Sequence, residues 1–196
     1  MAKTANLLTD GLGLGPGDVA AVVLPVHWQA LVALAGCWRA GLEVRTSGGP
    51  ADVSFVAEDW ADEAGAVTAA APAPETLALS LRPLGAGLRT APEPGTTDYA
   101  ASVRGFGDRF DGPRPGPDAP ALDGRTHREL VHAARGAGTA GMRLLLAPDA
   151  DRALDVETTL LAYLGPLAAG GSVVLCRHAD PGALPRRLAA ERAISA

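Results

Sequence analysis

Two glycine clusters, a scattered set of histidines, a pair of cysteines and a late group of arginines are the residues here whose types and spacing suit chemistry. Gly136-Ala-Gly-Thr-Ala-Gly141 matches the G-x-G-x-x-G spacing of a dinucleotide-binding loop. That mechanism needs the glycines after a strand and before a helix, so that the helix N-terminus faces a pyrophosphate. The residues around this cluster read in the order helix, glycines, strand, and the cluster from Gly11 to Gly17 has the same polarity. Both are therefore expected to be turns. His127 and His132 lie five apart, about 140° around a helix, and do not converge on one ion as an i, i+4 pair would. Cys176 and His178 could supply two metal ligands, but no second pair accompanies them, so no metal site is assigned. There is no G-x-S-x-G elbow for a serine hydrolase. Arg177, Arg186, Arg187 and Arg192 suit a phosphate-bearing ligand; a solvated helix face, partly compensated by Glu191, is the plainer alternative.

These residues must be positioned by a chain of 196 residues, enough for one domain or two intimately packed small ones. The hydrophobic fraction of 47% supports a real core, while 4% aromatics means that the core is built mainly from Ala and aliphatic side chains. A net charge of −5 argues against a nucleic-acid partner, whose phosphates require a concentrated positive field. Cys37 and Cys176 both sit in apolar surroundings, which fits free thiols in a reducing, cytoplasmic compartment. No apolar run approaches the roughly 20 residues that span a bilayer, so no membrane partner is expected.

Residues 2–10 read as the end of a helix, and Val19–Leu24 as a strand buried on both faces. Residues 26–40 follow as a helix with Trp28, Leu31, Val32, Ala35 and Trp38 expected on its buried face, and Gly41 as its cap. Leu42–Arg45, Asp52–Ala57 and Leu77–Leu81 read as strands, with a weak helix near Trp60 and a loop over 85–97. Asp98–Phe110 is expected to be an amphipathic helix. Residues 111–117 are rich in Gly and Pro and form the candidate boundary between units 1–110 and 118–196. In the second unit Ala119–Leu122 reads as a strand, and Thr126-His-Arg-Glu129 as a capping box opening a helix. The strands Met142–Leu146 and Ser172–Cys176 and the helices 156–167 and 182–193 complete it.

An internal repeat emerges from this reading. Asn6–Leu24 matches Glu129–Leu146 in pattern, and Leu31–Val44 matches Leu160–Val174, with Cys37-Trp-Arg-Ala-Gly41 facing Pro166-Leu-Ala-Ala-Gly170. Alternating helices and buried strands predict an α/β fold of mainly parallel sheets with helices on both faces, in two pattern-related subdomains.

The run Gly15-Pro-Gly-Asp-Val-Ala-Ala-Val-Val-Leu-Pro25, with the helix closing on Trp38-Arg-Ala-Gly41, resembles the N-terminal region of adenylate-forming enzymes. That superfamily includes acyl-CoA synthetases, peptide-synthetase adenylation domains and luciferase. Arg125-Thr-His-Arg-Glu-Leu130 looks like the helix start that follows their phosphate loop, and Leu167-Ala-Ala-Gly-Gly-Ser-Val-Val-Leu175 like their later strand entry. More closely, the whole chain is similar to a family of short, uncharacterised bacterial proteins related to those N-terminal domains. In them an additional stretch precedes the helix that contains Met1.

The resemblance implies the fold of that N-terminal domain. It also implies where catalysis should reside, and the sequence departs there. Active members carry a Ser/Thr/Gly-rich phosphate loop ending in Pro-Lys, whereas here Asp123-Gly124-Arg125 alone links the strand to Thr126. Three residues cannot wrap a triphosphate with several backbone N–H groups. The family's acidic ATP-binding motifs, and a catalytic lysine in a C-terminal domain, have no counterpart in these 196 residues; Lys3 is the sole lysine. The expectation is a non-catalytic, truncated relative that binds or interacts, with no catalytic residue and no cofactor assigned. Arg125, Thr126 and His127 are the candidate binding residues. The expected partners are a second copy or another protein, and a nucleotide, CoA or acyl ligand. The alternative is an adenylate-forming or CoA-ligase-like enzyme completed by a partner chain.

Overall fold

The computed structural model describes residues 1–58, 72–138, 140–149 and 152–195, so the helix expected near Trp60 lies outside the described residues. Helix α1 (Ala2–Asn6) runs on as a π-turn over Leu7–Gly11. Gly13 and Gly17, at φ 70° and 102°, then turn the chain into strand β1 (Val19–Val23). Helix α2 (Trp28–Ala40) ends at Gly41, whose left-handed φ of 91° is open to glycine without steric cost. Strands β2 (Glu43–Arg45), β3 (Val53–Ala57), β4 (Glu75–Leu79), β5 (Thr96–Asp98), β6 (Pro120–Leu122) and β7 (Arg125–Thr126) complete a seven-stranded sheet ordered β5-β4-β3-β1-β2-β6-β7. Every neighbouring pair is parallel except the β6–β7 hairpin. All five residues of β3 are buried, so that strand is covered on both faces.

Helix α4 (His127–Ala137) leads into a parallel three-stranded sheet of β8 (Arg143–Leu146), β9 (Ser172–Leu175) and β10 (Ile194–Ser195), ordered β10-β8-β9. Between β8 and β9 lie α5 (Val156–Thr159), a π-turn over Leu160–Leu164 and α6 (Gly165–Ala168). Between β9 and β10 lie a 3₁₀ turn (Pro181–Ala183) and α7 (Leu184–Glu191). The pattern repeat is thus a topological one: β3-β1-β2 in the first sheet has the same arrangement as β10-β8-β9 in the second. The strand after the Pro/Gly-rich stretch, β6, returns to the first sheet by pairing Leu122 with Val44.

Three local expectations change, and the first is that strand β5 begins inside the loop expected over 85–97. Helix α3 covers only Tyr99–Val103, because Gly105 and Gly107 end it; Tyr99 and Phe110 are still buried, the latter from irregular chain. Helix α2 buries the opposite face from the one expected. Gln29, Ala30, Ala33, Leu34, Gly36, Cys37 and Ala40 are buried, while Trp28 is 47% exposed and Leu31 and Trp38 are partly exposed. Gln29 and Arg39 are its polar residues, so apolar periodicity does not choose a face. Close approach chooses it: a Cβ placed on Gly36 would lie 2.4 Å from Cγ2 of fully buried Thr4 in α1. In the repeat register Gly36 corresponds to Gly165. A Cβ on Gly165 would lie 3.2 Å from the Ala137 Cβ of α4. Both units therefore seat their helix pair on a glycine. Among the described residues no helix is long and apolar enough to cross a membrane.

Gly36→Ala should destabilise the protein by about 1–3 kcal/mol in urea unfolding. The overpacking against Thr4 outweighs the roughly 1 kcal/mol that alanine contributes to helix propensity.

Candidate functional site

Parallel sheets place variable chemistry beyond the carboxyl ends of their strands, since the strand backbone is committed to the ladder. Here the carboxyl ends of β1 and β8 meet. Val26 N–H donates to the Arg152 carbonyl at 3.0 Å, Leu154 N–H donates to the Leu24 carbonyl at 2.9 Å, and Pro25 bridges Ala153. Between them opens a cavity of about 300 Å³ lined by Val26, Leu146, Pro148, Asp149, Arg152 and Thr158, among others. Its size is at the lower end of small-molecule pockets.

His27 stands at the edge of this junction. Its backbone N–H donates to the Tyr163 hydroxyl and its carbonyl accepts from that hydroxyl, both at 2.8 Å, while its Nδ1 accepts the Gln29 N–H at the start of α2. Burial, aided by the positive charge of Arg177, lowers the His27 pKa to about 4. Burial likewise pushes the Tyr163 phenol up, so it stays protonated and donates. Sequence reading passed over His27, Arg152, Thr158 and Tyr163. The strand-end rule applied to β1 would have pointed to Val26 and His27.

The candidate residues Arg125, Thr126 and His127 lie elsewhere, at the β7–α4 junction. Thr126 N–H donates to Glu129 Oε2 at 2.8 Å, and the Thr126 hydroxyl donates to the same oxygen at 3.0 Å. The Thr126 hydroxyl also accepts the Glu129 N–H. This is the expected capping box, and it commits the hydroxyl. These bonds, led by the Thr126 N–H and joined by the nearby Arg125 charge, hold the Glu129 carboxyl below its usual range. Arg125 is exposed. His127 is half-buried with its pKa lowered by desolvation, and its buried Nε2 has no hydrogen-bond partner. It faces an apolar groove with Trp38, Leu130, Val131, Leu164 and Leu167, anchored by the Trp38 Nε1–H bond to the Ala121 carbonyl at 2.7 Å. None of the three lines the cavity between β1 and β8.

The segment expected to replace a phosphate loop is a hairpin turn. Asp123 and Gly124 both take left-handed φ values, 46° and 79°, as the tightest hairpin turn requires. The Asp123 carboxylate accepts the Thr46 N–H at 2.9 Å and the Thr46 hydroxyl at 2.6 Å, and Gly124 N–H donates to Glu43 Oε1 at 3.3 Å.

The remaining sequence readings resolve simply. Cys37 and Cys176 are free and buried, and burial raises the Cys37 thiol. Among the described residues no group of three or more His, Cys, Asp or Glu could hold a metal ion. Gly136 is the tenth residue of α4, and Gly138 and Gly141 lead toward β8, so that cluster has the helix-to-strand polarity of a turn.

The fold is one that solved acyl-CoA synthetases share. The chain superimposes on an acyl-CoA synthetase of Brucella canis with a TM-score of 0.72 and 18% identity, over 98% of this chain. It superimposes on the N-terminal domain of FACL13 from Mycobacterium tuberculosis with a TM-score of 0.70 and 16% identity, again over 98%. ATP-bound MatB from Rhodopseudomonas palustris gives a TM-score of 0.64 at 19% identity. The chain spans 39%, 52% and 40% of those three structures, and at such identities they share its fold. No family model matches the chain. Over 198 aligned residues it is 39% identical to a TIGR03089 family protein of Mycobacterium tuberculosis (strain ATCC 25618 / H37Rv), covering 97% of this chain and 79% of that protein. The chain belongs to that family.

Two outcomes follow from the site geometry. An unfolded His27 takes its proton near pH 6.5 and the native one near 4. The unfolded state therefore binds more protons in between, and stability falls as pH is lowered through that window. His27→Asn retains a capping acceptor for the Gln29 N–H and should flatten this part of the wild-type stability–pH curve, measured by urea unfolding. Asp123→Ala should cost about 1–3 kcal/mol by leaving the Thr46 donors unpaired, whereas Asp123→Asn, which suits the left-handed turn, should cost less.

Proposed function

We propose that this chain is a non-catalytic relative of the adenylate-forming N-terminal domain, acting as a binding or interaction module. The observation that carries this reading is the Asp123-Gly124 turn. A phosphate cradle needs several backbone N–H groups pointing at one anion. At this turn the Thr46 N–H is spent on Asp123 and the Gly124 N–H on Glu43, so the local donors already face carboxylates. The following helix start presents Glu129 across the Thr126 hydroxyl, which adds a further negative charge. A polyphosphate brought here meets the carboxylates of Asp123, Glu43 and Glu129, with the exposed Arg125 side chain as the neighbouring cation in place of a cradle of backbone N–H groups.

Two features favour binding. The cavity between β1 and β8 has room for part of a small molecule. The groove beside Trp38 leaves Val131 49% and Leu167 53% exposed, a surface suited to a second copy or another protein. Among proteins of this fold, MatB binds ATP and the anthranilate CoA ligase AuaEII has been seen with anthranoyl-AMP. For this chain a nucleotide, CoA or acyl ligand is proposed as bound and unreacted. Units 1–110 and 118–196, joined through 111–117, would form one intimate domain, and the free thiols suit a cytoplasmic setting.

The purified chain should show no acid-dependent exchange of pyrophosphate into ATP across a broad panel of carboxylic acids. Exchange above the acid-free blank would overturn the non-catalytic reading and favour an enzyme. Thermal-shift measurements with ATP, AMP, CoA and acyl-CoA test binding separately, with about 2.7 kcal/mol of added stability expected at 100 times Kd.

A further inference from the structure

Helix α4 borders a groove that shares no lining residue with the cavity between β1 and β8. His127, Leu130, Val131 and Ala134 stand at i, i+3, i+4 and i+7, one stripe of the helix. Leu130 and Ala134 are buried and form the floor, while Val131 rises as an exposed ridge. Facing them across a cavity of about 360 Å³ are Leu164 of the π-turn and Leu167 and Ala168 of α6, with Trp38 of α2 as the third wall. A second hollow of about 360 Å³, lined by Pro117, Arg128, His132 and Arg135, adjoins the first and shares His127 and Val131 with it. A ridge between two hollows is the surface that one helix offers another, because the side-chain rows of a partner pack into the grooves.

The α6 wall carries no charge. The permanently charged groups of the lining are Arg128 and Arg135, one row further round α4, and no carboxylate lines either hollow. Glu129, the one carboxylate on α4, lies about 160° from Val131 around the helix and is tied to Thr126. Arg128 is compensated by a two-pronged contact with Asp118 at 2.8 and 3.1 Å. Arg135 is exposed, and among the described residues it has no carboxylate within ion-pair distance. It stands one turn beyond Val131. An apolar anchor seated against Val131 therefore brings a side chain one turn along its own helix beside Arg135. The floor also retains an unmet polar group: His127 lines both hollows, and its buried Nε2 has no hydrogen-bond partner.

We propose that this groove docks an acidic amphipathic helix of another protein, apolar on the face laid against Val131, Leu167 and Trp38, with a carboxylate paired to Arg135. Such helix-in-groove recognition reads apolar anchors at i, i+3, i+4 and i+7. A second copy of this chain fits less well. A two-fold contact repeats the same patch on both sides, which leaves Arg135 of each copy with no carboxylate of the lining to meet. The proposal names a partner for the interaction module and so rests on that reading. Pyrophosphate exchange by the chain would overturn the non-catalytic reading and leave the groove intact, whereas a groove that binds nothing would leave the non-catalytic reading standing.

The experiment follows the fluorescence anisotropy of a labelled helical peptide of about 18 residues as the full chain is added. The peptide has leucine at i, i+3, i+4 and i+7, with glutamate and alanine elsewhere. One counterpart has lysine for every glutamate, and another has serine for every leucine. The glutamate peptide should bind saturably, the lysine peptide roughly tenfold more weakly, and the serine peptide not at all. Val131→Ser should weaken the glutamate peptide roughly tenfold, and Arg135→Glu should reverse the preference in favour of the lysine peptide. Arg186→Gln, on α7 and outside the groove, should resemble wild type. Val131 and Arg135 are both exposed, so these variants should melt as wild type does. If Arg135→Glu does not fold, Arg135→Gln carries the comparison and should narrow the gap between the two peptides; an undiminished gap overturns the site. Absence of binding by the glutamate peptide also overturns it, as do equal wild-type affinities for the glutamate and lysine peptides or unchanged binding in Val131→Ser. Sedimentation of the chain alone should show no association through this face. Self-association that Val131→Ser abolishes assigns the groove to a second copy and overturns the proposal.

Discussion

The backbone of Leu24–His27, where β1 leaves the first sheet, carries the bonds that join the two halves of the molecule. Leu24 and Val26 exchange hydrogen bonds with Leu154 and Arg152, and the Tyr163 hydroxyl bonds both polar groups of the His27 backbone. Each of those backbone groups would be expensive to bury unpaired, by about 1–3 kcal/mol apiece. β1 is already paired on both sides, by β2 and β3, so its exit direction is set by the sheet. The second unit is therefore docked against a fixed edge, and the cavity between β1 and β8 is a consequence of that docking.

Within each unit, the helices approach through small residues. Large aromatics are scarce, and the layers come close where Gly36 meets Thr4 and where Gly165 meets Ala137. The two glycines occupy the same register of the repeat, and the glycines that end those segments, Gly41 and Gly170, share a left-handed backbone at φ 91° and 71°. Side-chain volume is traded for proximity in both copies. One result is that Trp28 is turned outward from α2, while Leu31 and Trp38, partly buried, pack at the margin of the core and Trp38 also lines the groove beside α4.

Electrostatics distinguishes two strand ends. At the β6–β7 turn the N–H groups of Thr46, Gly124 and Thr126 face Asp123, Glu43 and Glu129 respectively. Beyond β9, Glu191 is drawn away to Arg143, and Arg187 rests on a thiol. Both positions follow a strand of the same parallel architecture. Their difference lies in where the neighbouring carboxylates are committed, which depends on contacts between elements far apart in the chain.

Much of this was legible in the order of residues. The capping box at Thr126, the helix-ending glycine at 41, the buried strands, the internal repeat and the three-residue link at 123–125 all depend on neighbours a few positions away, which a linear reading sees. The helix expected over 98–110 failed at Gly105 and Gly107, where the local penalty was visible but the apolar spacing of Tyr99, Val103, Phe106 and Phe110 outweighed it in the reading. The candidate site is less legible: Thr126 and His127 lie at the expected helix start, but Arg125, expected in the link, lies in strand β7, and His27, Arg152, Thr158 and Tyr163 come together only across the junction of the two sheets. By itself, then, the sequence determined most of the helices and strands and the three-residue link at 123–125, because these are set by local backbone preference and short-range spacing. Tertiary structure decided which face of α2 is buried, which carboxylate neutralises which arginine, and where the strand ends open into cavities, because each depends on distances between residues that the chain separates by up to 136 positions.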